Sequence, residues 1–240
     1  MGGCEIVVRP AGAGEQELAQ RMELVRGGLS AYFWDAFVYF FLQELTLECC
    51  VLGGAVLFIF CGLSVAACLL LVPVAAVVVA VIVGCVHHAL ADKQAQSIRN
   101  EIFGLVAEVS GGLLLSPTTG SVPIRVQLQQ EKVSSYTQVL GTVSVSQYWG
   151  PQNIGWLHAL AVHPQWRGRG VARSLAGAAR RMAAAQGLES LQAAASTLQP
   201  AARAALHAAG WECIGAYERP LCGAALSLPL VRLGLDLPLA

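Results

Sequence analysis

The chain has 240 residues, room for one ordinary domain and an additional segment. Its 15 basic and 15 acidic side chains balance to a net charge of zero, which leaves no basic footprint for nucleic acid. Hydrophobic residues make up 55% and charged residues 12%, against about a quarter charged in ordinary soluble domains, so part of the chain is too apolar to lie in water.

In chain order, the β-branched Ile6, Val7 and Val8 predict a strand. Pro10, Gly12 and Gly14 break it. A helix is expected from Glu15, with Leu18, Met22 and Val25 on one face and Gly27 and Gly28 as its end. Tyr32 to Leu47 is an aromatic-rich amphipathic stretch just ahead of an apolar run, a placement that suits a bilayer interface; the other reading is an ordinary buried helix.

No Asp, Glu, Lys or Arg occurs in the 43 residues between Glu48 and Asp92. As helix they would span roughly 64 Å at about 1.5 Å per residue, twice a hydrocarbon core of about 30 Å. Pro73 removes a backbone donor near the middle, leaving arms of 24 and 18 residues. With no polar residues around Pro73, the expectation is a re-entrant or tightly turned membrane hairpin with His87 and His88 at its exit. A secretory signal peptide fits poorly, because ten charges precede the run and it is too long and too deep for an h-region. Myristoylation fits poorly too, since Ile6 stands where Ser or Thr is wanted. The eight cysteines include no CxxC pair and read as small hydrophobes in a reducing compartment, so no metal centre is expected.

From Asp92 onward the composition is that of a soluble domain. Strands are expected at Ile102 to Val109, Val139 to Val145, Ile154 to Val162, Leu191 to Ala195 and, last, Trp211 to Tyr217. Ser116 to Ser135 reads as a loop with a short strand at Ile124 to Leu128. Val171 to Ala185 is a helix with Val171, Leu175, Ala178 and Met182 on one face, and Pro200 opens another that runs to Ala209.

The stretch with most chemistry is LHALAVHPQWRGRGVARSLAGAARRM, Leu157 to Met182. A strand runs into a turn containing Gly168 and Gly170, and a helix starts at once. That geometry aims several backbone N–H groups and the positive helix end at one spot. Glycine lets a pyrophosphate approach closely, and Arg167, Arg169 and Arg173 add positive charge. A P-loop is excluded because no Gly-Lys-Ser/Thr follows, and GxGxxG is not completed by Ala172 and Arg173. The plainer alternative is a Gly/Arg-rich turn on a surface helix.

Arg167, Gly168, Arg169, Gly170, Val171 and Ala172 match [RQ]-x-x-G-x-[GA], the acetyl-CoA signature of the GNAT superfamily. With the opening IVVRPA and the order of strands and helices, the chain resembles a whole GNAT domain. An apolar insert after the first helix is similar to the camello-type membrane N-acetyltransferases, the relatives of N-acetyltransferase 8. The resemblance implies an α+β fold, a mixed and mostly antiparallel sheet flanked by helices, with an inserted membrane-embedded hairpin. Residues 1–48 and 92–240 would form the acetyltransferase domain, and 49–91 the hairpin. Both parts of one sheet must lie on one side of the membrane, so the hairpin crosses an even number of times or re-enters. Cytosolic acetyl-CoA makes the cytosolic face of the endoplasmic reticulum or another endomembrane the simpler home.

The same resemblance implies acetyl transfer from acetyl-CoA to a primary amine, on a small molecule or a protein lysine, with membrane lipid as the other partner. Leu160 and Val162 would hold the pantetheine arm through main-chain groups. His158 is the candidate base, expected to share strand parity with Leu160 and Val162; a neutral imidazole suits that task, and the alternative is a histidine satisfied by a backbone carbonyl. Leu206 stands where many members carry the tyrosine that protonates the CoA thiolate, and leucine cannot donate. His207 is turned about 100° away along the helix. Tyr217 is the remaining candidate acid. A second reading therefore stands beside the first: a GNAT-fold regulatory or interaction protein that is catalytically weak or inactive.

Overall fold

The computed structural model describes residues 5–110, 123–128, 138–150, 153–222 and 226–238. Strand β1 (Glu5–Pro10) leads into α1 (Glu15–Ser30), then α2 (Phe33–Phe41), α3 (Glu44–Cys61), α4 (Val65–Leu69) and α5 (Leu71–Ser97). After them come β2 (Phe103–Ser110), β3 (Ile124–Val126), β4 (Gln138–Gln147), β5 (Ile154–Val162), α6 (Val171–Ala185), β6 (Ser190–Ser196), α7 (Pro200–Ala208), β7 (Glu212–Cys222) and β8 (Leu226–Asp236). Apart from 123–128, the expected loop over Ser116 to Ser135 lies outside the described residues.

The strands form one sheet in the order β3-β1-β2-β4-β5-β6-β8-β7. Only β1–β3 and β5–β6 are parallel. β1 lies antiparallel to β2, so the two ends of the apolar segment belong to one sheet. β8, not among the expected strands although its leucines alternate with Ser227, Pro229, Arg232 and Gly234, slots between β6 and β7. The expected last strand is thus an edge strand.

Helix α6 covers one face of the sheet. Its apolar spacing buries Val171, Leu175, Ala178 and Ala179 against Val143 and Val145 of β4. Full burial of a side chain such as Leu175 contributes about 1.5–3 kcal/mol. Helix α1 covers the opposite face. There the polar residues of β4 are buried as well: Arg21, 2% exposed, donates to Thr142 Oγ1 at 2.9 Å and Ser144 Oγ at 3.0 Å and forks onto Glu101 at 2.7 and 2.6 Å. A second buried fork joins Arg9 to Glu108 at 2.9 and 2.8 Å.

Two local expectations are corrected. Helix α1 runs through Gly27 and Gly28 to Ser30, because packing of its Val25 face on Ala159 and Ala161 of β5 outweighs the weak helix preference of the glycines. The reversal of the apolar segment falls at Gly62–Ser64, not at Pro73. Gly62 caps α3 in the left-handed conformation, φ 61°, and Ser64 caps α4 through Oγ. Pro73 sits in the first turn of α5, where its missing N–H costs little, and the helix breaks at Leu70 just before it. Glu44–Cys61 and Val65–Asn100 are long and apolar enough to cross a membrane, with mean hydropathies of 1.9 and 3.1.

Candidate active site

The site grows from a divergence between two strands. β5 pairs in parallel with β6 only from Ile154↔Ser190 to Leu157↔Ala193, yet β5 continues to Val162 and β6 to Ser196. The unpaired ends splay into a wedge, leaving β5 backbone groups from His158 onward free to bind. A cavity of about 1530 Å³ occupies this wedge.

On its other edge β5 bulges against β4. Ser144 pairs with His158 but Thr142 pairs with Ala161, and Ala159 takes up the extra residue at φ 53°. A non-glycine residue in that region costs on the order of 1–3 kcal/mol and is typical of functional sites. The bulge overturns the expected parity of His158. Ala159 and Ala161 pack against Val25 on the α1 side, whereas Leu160 and Val162 pack toward the α6 side. His158, opposite Ser144, lies with the α1 side.

His158 is tied at both ring nitrogens. Ser97 Oγ donates to the Gln94 carbonyl at 2.7 Å, so at 3.1 Å from Nδ1 it accepts the ring N–H. Ser146 Oγ lies 3.3 Å from the Asn100 carbonyl and 2.7 Å from Nε2; with the ring neutral and its proton on Nδ1, Nε2 accepts from Ser146 over the shorter contact. Burial, with Arg21 in support and Glu101 opposing, lowers the His158 pKa to about 4. The ring is therefore neutral throughout the physiological range. Ser97 and Ser146 both line the cavity. Sequence reasoning singled out neither; Ser146 shares the polar side of β4 with Ser144, and Ser97 lies at the end of α5 with no local signal.

The turn ahead of α6 lies at the same cavity. Gly168 and Gly170 have φ of 74° and 84°, values that side chains strain to reach. No side chain caps α6 among the described residues, and its first turn holds no acidic residue. Its first N–H groups are thus open to an anion. Leu160, Val162, Arg167, Gly168, Gly170, Val171 and Ala172 all line the cavity, with Arg173 beside them. Arg169 does not: its guanidinium lies over Trp166, 4.9 Å from the ring centroid. Arg167 Nε donates to the Val162 carbonyl at 3.2 Å, occupying one of the main-chain groups assigned to pantetheine.

The remaining charge is one-sided. Lys93 and Arg219 also line the cavity, and no Asp or Glu does among the described residues. Such a cleft attracts polyanions. Tyr148 and Trp156 stack at 5.8 Å at one end, with Arg232 over Tyr148 at 5.1 Å. Tyr217, 44% exposed, reaches the cavity from β7. Leu206 is 3% exposed in the α6-side core, and His207 Nδ1 donates to the Trp211 carbonyl at 2.9 Å, so neither offers a proton to the cavity.

Residues 128–211 match the sequence model of the Acetyltransferase (GNAT) family, whose members use acetyl-CoA as co-substrate. No curated protein sequence matches the chain. Among solved structures, it is similar to a GNAT-family acetyltransferase from Streptococcus pneumoniae, at 19% identity and TM-score 0.40 over 63% of this chain and 75% of that one. The ribosomal-protein-S18-alanine N-acetyltransferase of Escherichia coli matches at 11% identity and TM-score 0.41 over 62% and 78%. A Bacillus subtilis acetyltransferase in complex with CoA matches at 12% and 0.41 over 61% and 84%. At these values the likenesses stand beside the family match without adding to it.

Proposed function

We propose that the chain is a membrane-bound, camello-type N-acetyltransferase that moves acetyl from acetyl-CoA to a primary amine by direct attack. The observation that carries the reading is the open turn from Arg167 to Ala172, placed at the mouth of a cleft whose floor is the free edge of β5. Residues 1–48 and 92–240 supply the acetyltransferase domain, and 49–91 anchor it as a hairpin with both ends on the cytosolic face of an endomembrane. The largely exposed apolar surface of α3, where none of the apolar window is buried, supports the anchor, since water would disfavour it.

In this reading the α6 N–H groups, Arg167 and Arg173 hold the CoA phosphates, and Leu160 and Val162 present main-chain groups to the pantetheine arm. Acetyl-CoA supplies the acetyl group, whose C–S bond breaks as the C–N bond forms. Ser146 takes the amine proton and passes its own to His158 Nε2, while Ser97 and the Gln94 carbonyl hold the ring in that tautomer. A base with a pKa near 4 serves because the nitrogen becomes strongly acidic as it acylates. Tyr217 is the candidate donor to the thiolate.

A specific observation favours a second reading, a GNAT-fold protein that binds CoA with little turnover: Leu206 is buried where a tyrosine would serve. Measuring acetyl-CoA binding and labelled acetyl transfer to a panel of amines separates the two. Binding with transfer supports the enzyme; binding without transfer to any amine or lysine peptide supports the second reading.

A further inference from the structure

A second cavity, about 440 Å³ in volume, lies between α2, α3 and α5. Its size falls in the range of small-molecule pockets, about 300–1000 Å³. Its walls are helical stripes, with Cys49 and Gly53 on α3 and Ala75, Val79, Ile82 and Val86 on α5. Small side chains on α3 keep it open. Tyr32, Ser196 and Gln199 line both this chamber and the β5–β6 cleft, as do Leu29, Leu90 and Leu228; the other polar side chains in its wall, Thr46 and His87, are bonded to the Phe40 and Val83 carbonyls at 2.9 and 3.1 Å. The two cavities therefore adjoin, and polarity rises from the depth of the chamber toward the cleft. That gradient matches an amphiphile with its tail in the chamber and its head at the junction.

We propose that the chamber between α2, α3 and α5 holds the alkyl chain of a lipophilic primary amine, whose amino group is the acetyl acceptor. This rests on the acetyltransferase reading above. The chain belongs to the acceptor and not to the acyl donor because the chamber is built on α5, the helix that also carries Ser97 against His158. The phosphate turn begins α6 on the opposite face of the sheet. The bonds exchanged are those of the simple reaction: nitrogen gains the acetyl carbon, sulfur loses it, the amine proton goes to His158 through Ser146, and the thiolate takes a proton from Tyr217 or solvent.

The test uses full-length protein in detergent with ethyl-, butyl-, hexyl- and octylamine as acceptors. Burial of successive methylenes predicts a rise in kcat/KM of about tenfold or more across the series. Ala75→Trp should flatten that rise, and Val77→Trp, on a 63% exposed position outside the chamber, should keep it. A flat profile with measurable turnover overturns the inference and leaves the acetyltransferase reading intact. A preference for octanoyl-CoA over acetyl-CoA with ethylamine as acceptor also overturns it, by assigning the chain to the donor. Photolabelling with a diazirine-bearing octylamine gives a readout independent of turnover. Label on α3 and α5 that Ala75→Trp reduces supports the chamber; label confined to other segments contradicts it. Loss of acetyl-CoA binding in the parent protein would instead remove the underlying reading.

Discussion

Ser146 Oγ lies 2.7 Å from His158 Nε2, and the ring's other nitrogen is committed to Ser97. In the proposed reaction the pair carries the amine proton from the cleft to His158. His158→Gln should lower kcat by about 10²–10⁴, the usual worth of a general base, and Ser146→Ala by about tenfold. Both should leave the acetyl-CoA Kd unchanged. Steady-state kinetics with parallel calorimetry check this, and unchanged turnover in His158→Gln removes His158 from the base role.

The low His158 pKa makes a signed prediction about acid. The folded value is about 4 against an ordinary 6.5, so the fold prefers the neutral ring. Its contribution to stability is complete above pH 6.5 and is lost as pH falls from 6.5 toward 4. At pH 5 the loss is about 2 kcal/mol. Melting midpoints at pH 7 and 5 should therefore diverge in the parent protein and diverge less in His158→Gln. An acid limb of kcat/KM centred near 6.5 and traced to His158 would contradict the assigned burial.

Tyr217 is the only tyrosine that sequence reasoning placed in the acid role, and it opens onto the cleft. Tyr217→Phe should lower kcat several-fold with the acetyl-CoA KM unchanged, the pattern of a group that acts in the transition state. Equal kcat in the two proteins would mean that the thiolate is protonated from solvent.

Arg21 holds Thr142, Ser144 and Glu101 together behind the site. Arg21→Leu leaves Glu101 without its partner, and loss of one member of such a pair costs about 3–5 kcal/mol. Chemical denaturation should show the loss, and Arg21→Lys should recover only part of it, because lysine lacks the planar fork.

Much of the domain could be read in the residues, and the gaps have physical causes. The α6 helix was legible because Val171, Leu175 and Ala178 repeat at helical spacing behind two glycines that the turn needs. The side of β5 that His158 faces was not. Strand parity assumes an unbroken ladder, and the Ala159 bulge leaves no mark in an Ala-Leu-Ala run. Pro73 drew the hairpin turn away from Gly62–Ser64, since a proline signals a break more loudly than a glycine. Yet a proline in the first helical turn breaks nothing downstream. β8 was missed although Leu228 and Leu230 alternate with Ser227 and Pro229 and it follows β7 across three residues, because a proline inside an apolar run argues against an internal strand. Ser97 reaches His158 across 61 positions of chain, a contact that only the fold creates.

Acetyl-CoA binding at the turn from Arg167 to Ala172 underlies every role proposed above. Isothermal titration of full-length protein in detergent tests it most directly, with Gly170→Pro as the companion because proline cannot adopt the φ of 84° found there. The expected result is saturable binding in the parent, weakened as salt rises, and binding lost in Gly170→Pro while its far-ultraviolet circular dichroism is retained. Absence of binding in the parent, or equal affinity in the two proteins, would contradict it.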